Sequence, residues 1–287
     1  MSLTQTSAKD HSLRYAGGPV GFLLAHGLGG TPVELRSLAR GLNRAGHTVH
    51  CPQLAGHCAS EADLAAASRE DWLAGMEAEL DLMRARCATI IVGGLSMGAV
   101  LGMQLAARRP KDVHGLALYA PTLWYDGWSI PWYSFLLKPL IDTPMGRRFR
   151  FVEREPFGIK DKRIRGHVLR AMESGDSSIA GLLGTPSAAV RQMWKLIADV
   201  RGTLATIKAP ALLVHAREDD VAGLSNAIHL QRHLGGLVDT LVLDDSYHLV
   251  TLDRQSDIVL DRSIRFAQWL GARRPRGALD EDAEAAE

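Results

Sequence analysis

The stretch Thr89-Ile-Ile-Val-Gly-Gly-Leu-Ser96-Met97-Gly98-Ala99 decides how this chain is read. Its first seven residues are β-branched or apolar, the signature of a buried central strand. Met97 to Arg109 then reads as a helix, and Pro110 ends it. Between the two sits Gly94-Leu95-Ser96-Met97-Gly98, a G-x-S-x-G match. The five-residue pattern arises readily by chance. Its place between strand and helix is what gives it weight, because a nucleophile elbow needs that sharp turn and small residues beside the serine. Gly102, one turn on, would let the helix lie close to the sheet.

Outward from this stretch the pattern alternates. Upstream, Val20 to Ala25 is a short apolar run closed by glycines. Thr31-Pro32-Val33-Glu34 opens a helix with an N-cap, a proline at the first position and a capping box, and Gly46 stops it. His47 to Cys51 is a strand. Glu61 to Arg86 reads as one helix with Trp72, Met76, Leu80 and Met83 in a stripe. Downstream, Val113 to Tyr119 is a strand. The alternation resumes at Ala211–His215 (strand), Leu224–Leu234 (helix), Thr240–Leu243 (strand) and Asp257–Leu270 (helix). Such alternation predicts an α/β fold with a mostly parallel central sheet and helices on both faces. Residues 121–202 interrupt it with a helix-prone, aromatic-rich stretch, read as a helical cap inserted into a core of 15–120 and 203–271. The termini, 1–14 and 272–287, read as loose.

Composition narrows the classes. The 287 residues are 46% hydrophobic, enough for a sizeable core, and the net charge of +1 gives no basic face for nucleic acid. Met1 to Arg14 lacks the apolar segment of a signal peptide, and no run suits a membrane span. Three cysteines, Cys51, Cys58 and Cys87, make no disulfide framework and no zinc pattern. A cytoplasmic protein is expected, with neither metal nor cofactor. The His26–Gly30 loop fails the dinucleotide test, since Pro32 stands where the third glycine would be, and it has no Walker ending.

A serine nucleophile needs a base, and the base an orienting acid, in the chain order Ser, acid, His on this fold. Both partners are present on loops that follow predicted strands. His248 lies in Asp244-Asp-Ser-Tyr-His248 and is the expected base. The acid is one of Glu218, Asp219 and Asp220; spacing does not choose, and the other two are expected to be solvated. The oxyanion hole would draw on the backbone N–H of Met97 and on that of Leu28 in the His26-Gly-Leu-Gly-Gly30 loop. His215 is expected to be structural, His26 and His57 to brace loops, and His229 and His233 to lack the partners of a zinc site.

With these residues in place, the chain resembles the bacterial carboxylesterase and monoacylglycerol lipase branch of the α/β-hydrolase superfamily. The likeness runs from about Gly21 to Leu270. It rests on His26–Gly30, Gly56-His57, Asp71-Trp72, Gly94–Gly98, Ile197-Ala-Asp-Val-Arg201, Ala216-Arg-Glu-Asp219 and Ser246–Asp253. The resemblance implies that the acid is Asp219. One departure is Cys58, where the family commonly has glycine. The resemblance also implies a small-molecule substrate, a medium- or long-chain acyl ester such as a monoacylglycerol. A thioester, amide or carbon–carbon bond is the alternative with the same triad, and a non-catalytic binding member of the fold is a minor one. Trp124, Tyr125, Trp128, Trp132, Tyr133, Phe135, Leu136 and Leu137 crowd the start of the insertion. They form a satellite core, or else an apolar acyl-chain pocket or a surface that touches lipid transiently, with Trp124 and Trp128 as candidate substrate contacts. Nothing in the sequence sets the oligomeric state.

Overall fold

The computed structural model describes residues 10–141, 143, 146–152, 155–173, 177, 181–182 and 184–273. Seven strands form one sheet. In chain order they are β1 (Leu13–Tyr15), β2 (Gly18–Ala25), β3 (His47–Cys51), β4 (Thr89–Leu95), β5 (Gly115–Tyr119), β8 (Ala211–Ala216) and β9 (Val238–Leu243). Across the sheet the order is β1-β3-β2-β4-β5-β8-β9. Every pairing is parallel except β1 with β3, where Leu13 lies opposite Cys51. The described part of the expected loose N-terminus is therefore partly ordered. Leu13 and Arg14 pair along the sheet edge, and the Arg14 guanidinium holds the Glu79 carboxylate, with Nε at 3.0 Å. At the other end, the last helix runs to Arg273. Residues 1–9 and 274–287 lie outside the described residues.

Successive residues of the central strands face opposite layers, and both faces are apolar, as a sheet covered on both sides requires. Leu23, Ala25, Ile90 and Val92 pack in one cluster with α3 (Arg69–Arg84) and α4 (Met97–Arg108). Phe22, Leu24, Ile91 and Leu95 pack in the other with α1 (Arg36–Arg44) and the C-terminal α9 (Ser256–Arg273).

The helix expected over 61–86 is two. Here α2 (Glu61–Ala66) and α3 each begin with a complete capping box, Ser60 with Asp63 and Ser68 with Asp71. The Ser68 hydroxyl takes the Asp71 amide, and its backbone amide meets the Asp71 carboxylate, so a second helix starts where the first would have continued. Between β5 and β8 lies the insertion. It holds α5 (Leu137–Leu140), β6 (Arg150–Val152), α6 (Lys162–Glu173), β7 (Gly184–Pro186) and α7 (Ser187–Thr203), with α8 (Ser225–His233) following β8. The short ribbon of β6 and β7 was not anticipated in a helix-prone stretch. Helix α7 shares the core of α4 through Ala189, Met193, Ile197 and Val200. The boundary expected at 202 thus falls at the end of a helix that packs on the sheet layer.

Candidate active site

The carboxyl ends of β2, β4, β5, β8 and β9 open onto one edge of the sheet, where an open α/β sheet places its site. Each loop there carries one of the expected residues.

Ser96 stands between β4 and α4 with φ 56° and ψ −112°, outside the regions a serine prefers. Two contacts enforce this. The Ser96 amide donates to Tyr119 O at 2.9 Å. Gly98 passes so close to β2 that a Cβ there would sit 1.9 Å from Ala25 O. Leu95 and Met97 are fully buried while Ser96 keeps a partial opening to solvent. Its Oγ lies 3.1 Å from the Thr122 hydroxyl, which itself donates to Ala120 O, rather than being bonded to His248. Thr122 carries no motif, and only the arrival of β5 beside β4 places it here.

His248 and Asp219 meet directly. The imidazole Nδ1–H donates to both carboxylate oxygens, at 3.0 and 2.9 Å, and both residues are buried. Asp219 Oδ1 also accepts the Val221 and Ala222 amides. Burial alone would raise the Asp219 carboxyl; the neighbouring His248 and these donors bring it below its ordinary value. Burial likewise opposes charge on His248; Asp219, with Asp220 and Glu34 adding to it, outweighs burial and raises the imidazole. The pair is therefore arranged to stabilise the imidazolium that would form once Nε2 accepts a proton.

The neighbouring carboxylates serve other ends. Glu218 is exposed and pairs with Lys160 at 2.7 Å. Asp220 was expected to be solvated and is instead buried: its carboxylate accepts the Gly158 amide at 3.1 Å and the His248 amide at 3.3 Å, tying the insertion to the histidine loop. Asp253 closes the same loop, accepting the Tyr247, Lys160 and Asp161 amides. That accounts for the Ser246–Asp253 stretch as a structural unit.

The His26–Gly30 loop is held amide by amide. Gly27 N–H donates to Glu34 Oε2 at 3.0 Å, Gly29 N–H to His57 Nε2 at 3.2 Å, and Gly30 N–H to Gly27 O. The Leu28 amide has no partner among the described residues. His26 and His57 pack edge to face, 4.7 Å between centroids, and both accept backbone amides through Nε2. Burial lowers both imidazoles, His57 to about 4, which keeps them neutral acceptors at neutral pH. They brace the loop, as expected. Cys58 keeps φ at 59°, the left-handed value that glycine takes without strain. The insertion covers this loop: Leu182 N–H donates to Gly29 O at 3.0 Å.

Trp124 and Trp128 are engaged elsewhere. The Trp124 indole donates to Asp126 and Ser225, packs on His229 and lies under Arg201. Trp128 donates to Glu218 O and packs on Tyr247, with 59% of its surface exposed. No contact links either to Ser96 among the described residues. The side chains of Phe135 and Leu137 lie outside them. His215 is fully buried in β8 beside Asp219, in a structural position. Among the described residues no group of three or more His, Cys, Asp or Glu could hold a metal ion, and no helix is long and apolar enough to cross a membrane.

Comparison with known proteins follows this geometry. The Hydrolase_4 family model, described as serine aminopeptidase S33, matches residues 21–255. A thermostable monoacylglycerol lipase of Bacillus sp. (strain H-257) is 31% identical over 253 residues, which is 87% of this chain and 90% of the relative. A carboxylesterase of Bacillus subtilis (strain 168) is 25% identical over 261 residues, covering 89% of this chain and 95% of the relative. A solved structure from work on LipS and LipT, two metagenome-derived lipolytic enzymes, superposes with a TM-score of 0.75 at 28% identity. It covers 90% of this chain and 96% of its own. The monoacylglycerol lipase of Paleococcus ferrophilus has the same fold, with a TM-score of 0.71 at 16% identity over 93% of this chain and all of its own.

Proposed function

The chain belongs to the Hydrolase_4 (serine aminopeptidase, S33) family of α/β hydrolases, and on that premise we propose that it cleaves medium- to long-chain acyl esters, monoacylglycerols among them, through Ser96, His248 and Asp219. The observation that carries the reading is the buried Asp219–His248 pair on the same sheet edge as the strained Ser96 turn.

In this mechanism Ser96 Oγ turns from Thr122 and attacks the acyl carbon. His248 Nε2 takes the hydroxyl proton, and Asp219 stabilises the imidazolium that results. The negative oxygen of the tetrahedral intermediate accepts from the Leu28 and Met97 amides. Collapse expels the alcohol, which receives the proton from His248. A water molecule, deprotonated by the same imidazole, then releases the fatty acid and restores Ser96. The glycine-rich loop offers Leu28 because the Gly27, Gly29 and Gly30 amides on either side of it are already bonded.

The insertion, residues 121–202, acts as the cap. Trp132 (82% exposed), Trp128, Tyr133 and Leu136 are exposed on it, with Trp132 packed edge to face on Tyr133. Lys162 and Arg165 line a basic recess with Trp128 and Tyr247. Aromatic rings beside cations suit the apolar–wet boundary of a lipid surface, so this face is read as a transient lipid contact. No disulfide joins the three cysteines, which suits a cytoplasmic protein.

The family model's description favours a second reading, cleavage of amides at a peptide N-terminus. A panel of p-nitrophenyl esters and monoacylglycerols of graded chain length, set beside aminoacyl p-nitroanilides and acyl-CoA, separates the two. Higher kcat/KM on medium- and long-chain esters than on anilides and thioesters is expected. Faster turnover of the anilides would overturn the ester assignment.

A further inference from the structure

Glu34 is a buried titratable group packed into the site that this mechanism leaves idle. It enters in the 3-10 turn Pro32–Leu35, capped by the Thr31 hydroxyl, and its carboxylate turns back under the glycine loop. Oε2 takes the Gly27 amide at 3.0 Å. Oε1 fills the space at Gly30, where a Cβ would stand 1.8 Å away. A Cβ on Gly27 would lie 3.4 Å from Oε2 and 3.8 Å from the Ser96 Cβ, so the carboxylate is one residue removed from the serine. The backbone of Glu34 reaches the other side of the site, its carbonyl accepting the Thr251 hydroxyl at 3.0 Å, three positions beyond His248.

Resting on the reading of Ser96 and His248 as nucleophile and base, we propose that Glu34 is a positioning residue of this site: its carboxylate pins the oxyanion loop through the Gly27 amide, and its negative charge supports the protonated form of His248 that the reaction must generate. With the Gly27 amide fixed, the next amide, Leu28, is aimed rather than free to rotate. Asp219 and Asp220 face His248 from the loop after β8, with His215 behind Asp219; His26 and His57 face the glycine loop. Burial lowers all three of these other histidines, so they bring no positive charge at neutral pH. Glu34 and His248 thus act on one another. Burial pushes the Glu34 carboxyl up to about 7, against the Gly27 amide and His248, and Glu34 adds to the forces that raise His248.

Two substitutions separate shape from charge. Glu34→Gln keeps an acceptor for the Gly27 amide and loses the charge; Glu34→Ala loses both. Each is assayed against wild type as a pH profile of kcat and KM on a p-nitrophenyl ester, and as the rate of Ser96 labelling by a fluorophosphonate. For E34A the plateau kcat is expected to fall about tenfold to a hundredfold with KM little changed. For E34Q the plateau recovers to within about threefold. Near neutral pH, where the wild-type carboxylate ionises, His248 of E34Q loses its proton more easily and the variant keeps a larger share of its plateau than wild type; well below pH 7, where Glu34 is itself protonated, the two profiles converge. An E34A plateau equal to wild type overturns the clamp, and an E34Q profile superposed on wild type overturns the charge effect. If E34A does not fold, the E34Q profile decides alone. Failure of the underlying reading looks different: wild type itself would neither cleave the ester nor take the label.

Discussion

Glu218, Asp219 and Asp220 are adjacent and chemically alike, yet they divide into an exposed ion pair, a partner for the imidazole and a staple between loops. Their separation tests the assignment of the acid. Asp219→Asn removes the charge opposite the imidazolium and is expected to lower kcat by about 10³- to 10⁴-fold. Asp220→Asn should keep kcat within about tenfold and show its cost as a lower melting temperature, since the amides of Gly158 and His248 lose a charged acceptor. Kinetics and thermal melts of both variants check this; the reverse ranking would make Asp220 the acid. Spacing left this choice open because three consecutive loop residues point in three directions that only the folded turn fixes. Ser96 and His248 were legible because each follows an apolar strand. Thr122, Asn226 and Glu34 were not, since each earns its place by a tertiary contact: Asn226, for instance, takes the Leu123 and Trp124 amides from a helix a hundred residues away.

At the level of elements, the packing of α4 on the sheet is what presents Ser96. A Cβ on Gly102 would stand 2.5 Å from Gly93 Cα, a backbone contact with no flexible end to yield. Gly102→Ala should therefore lift α4 from β4, costing about 1–3 kcal/mol and lowering kcat with it. Gly75, exposed on α3 with nothing within 4 Å of its Cβ position, is the control. Gly75→Ala should stabilise by roughly 0.5–1 kcal/mol at unchanged kcat. Denaturant melts and ester kinetics on the pair give the answer; equal, neutral effects would mean that α4 is not held by close approach. The strands and most helices were readable from period and punctuation. The split between α2 and α3 was missed because its signal, Ser68 with Asp71, lies inside a run of helix formers that conceals a second start.

For the whole molecule, alternation of strand and helix was enough to specify a covered, mostly parallel sheet, and that is the architecture found. Two parts escaped it. The antiparallel β1 is only three residues long and depends on β3 and Glu79 rather than on its own pattern. Within the insertion, β6 and β7 pair across more than thirty residues of intervening chain, a distance over which periodicity carries no information. Ser96 is the proposed activated group at the carboxyl edge of the sheet. The most direct measurement is to treat the folded protein with a fluorophosphonate and identify the modified residue by mass spectrometry. One adduct on Ser96, absent after Ser96→Ala and strongly slowed after His248→Ala, is the predicted result. No adduct on folded protein, or an adduct on another serine that survives Ser96→Ala, would contradict it.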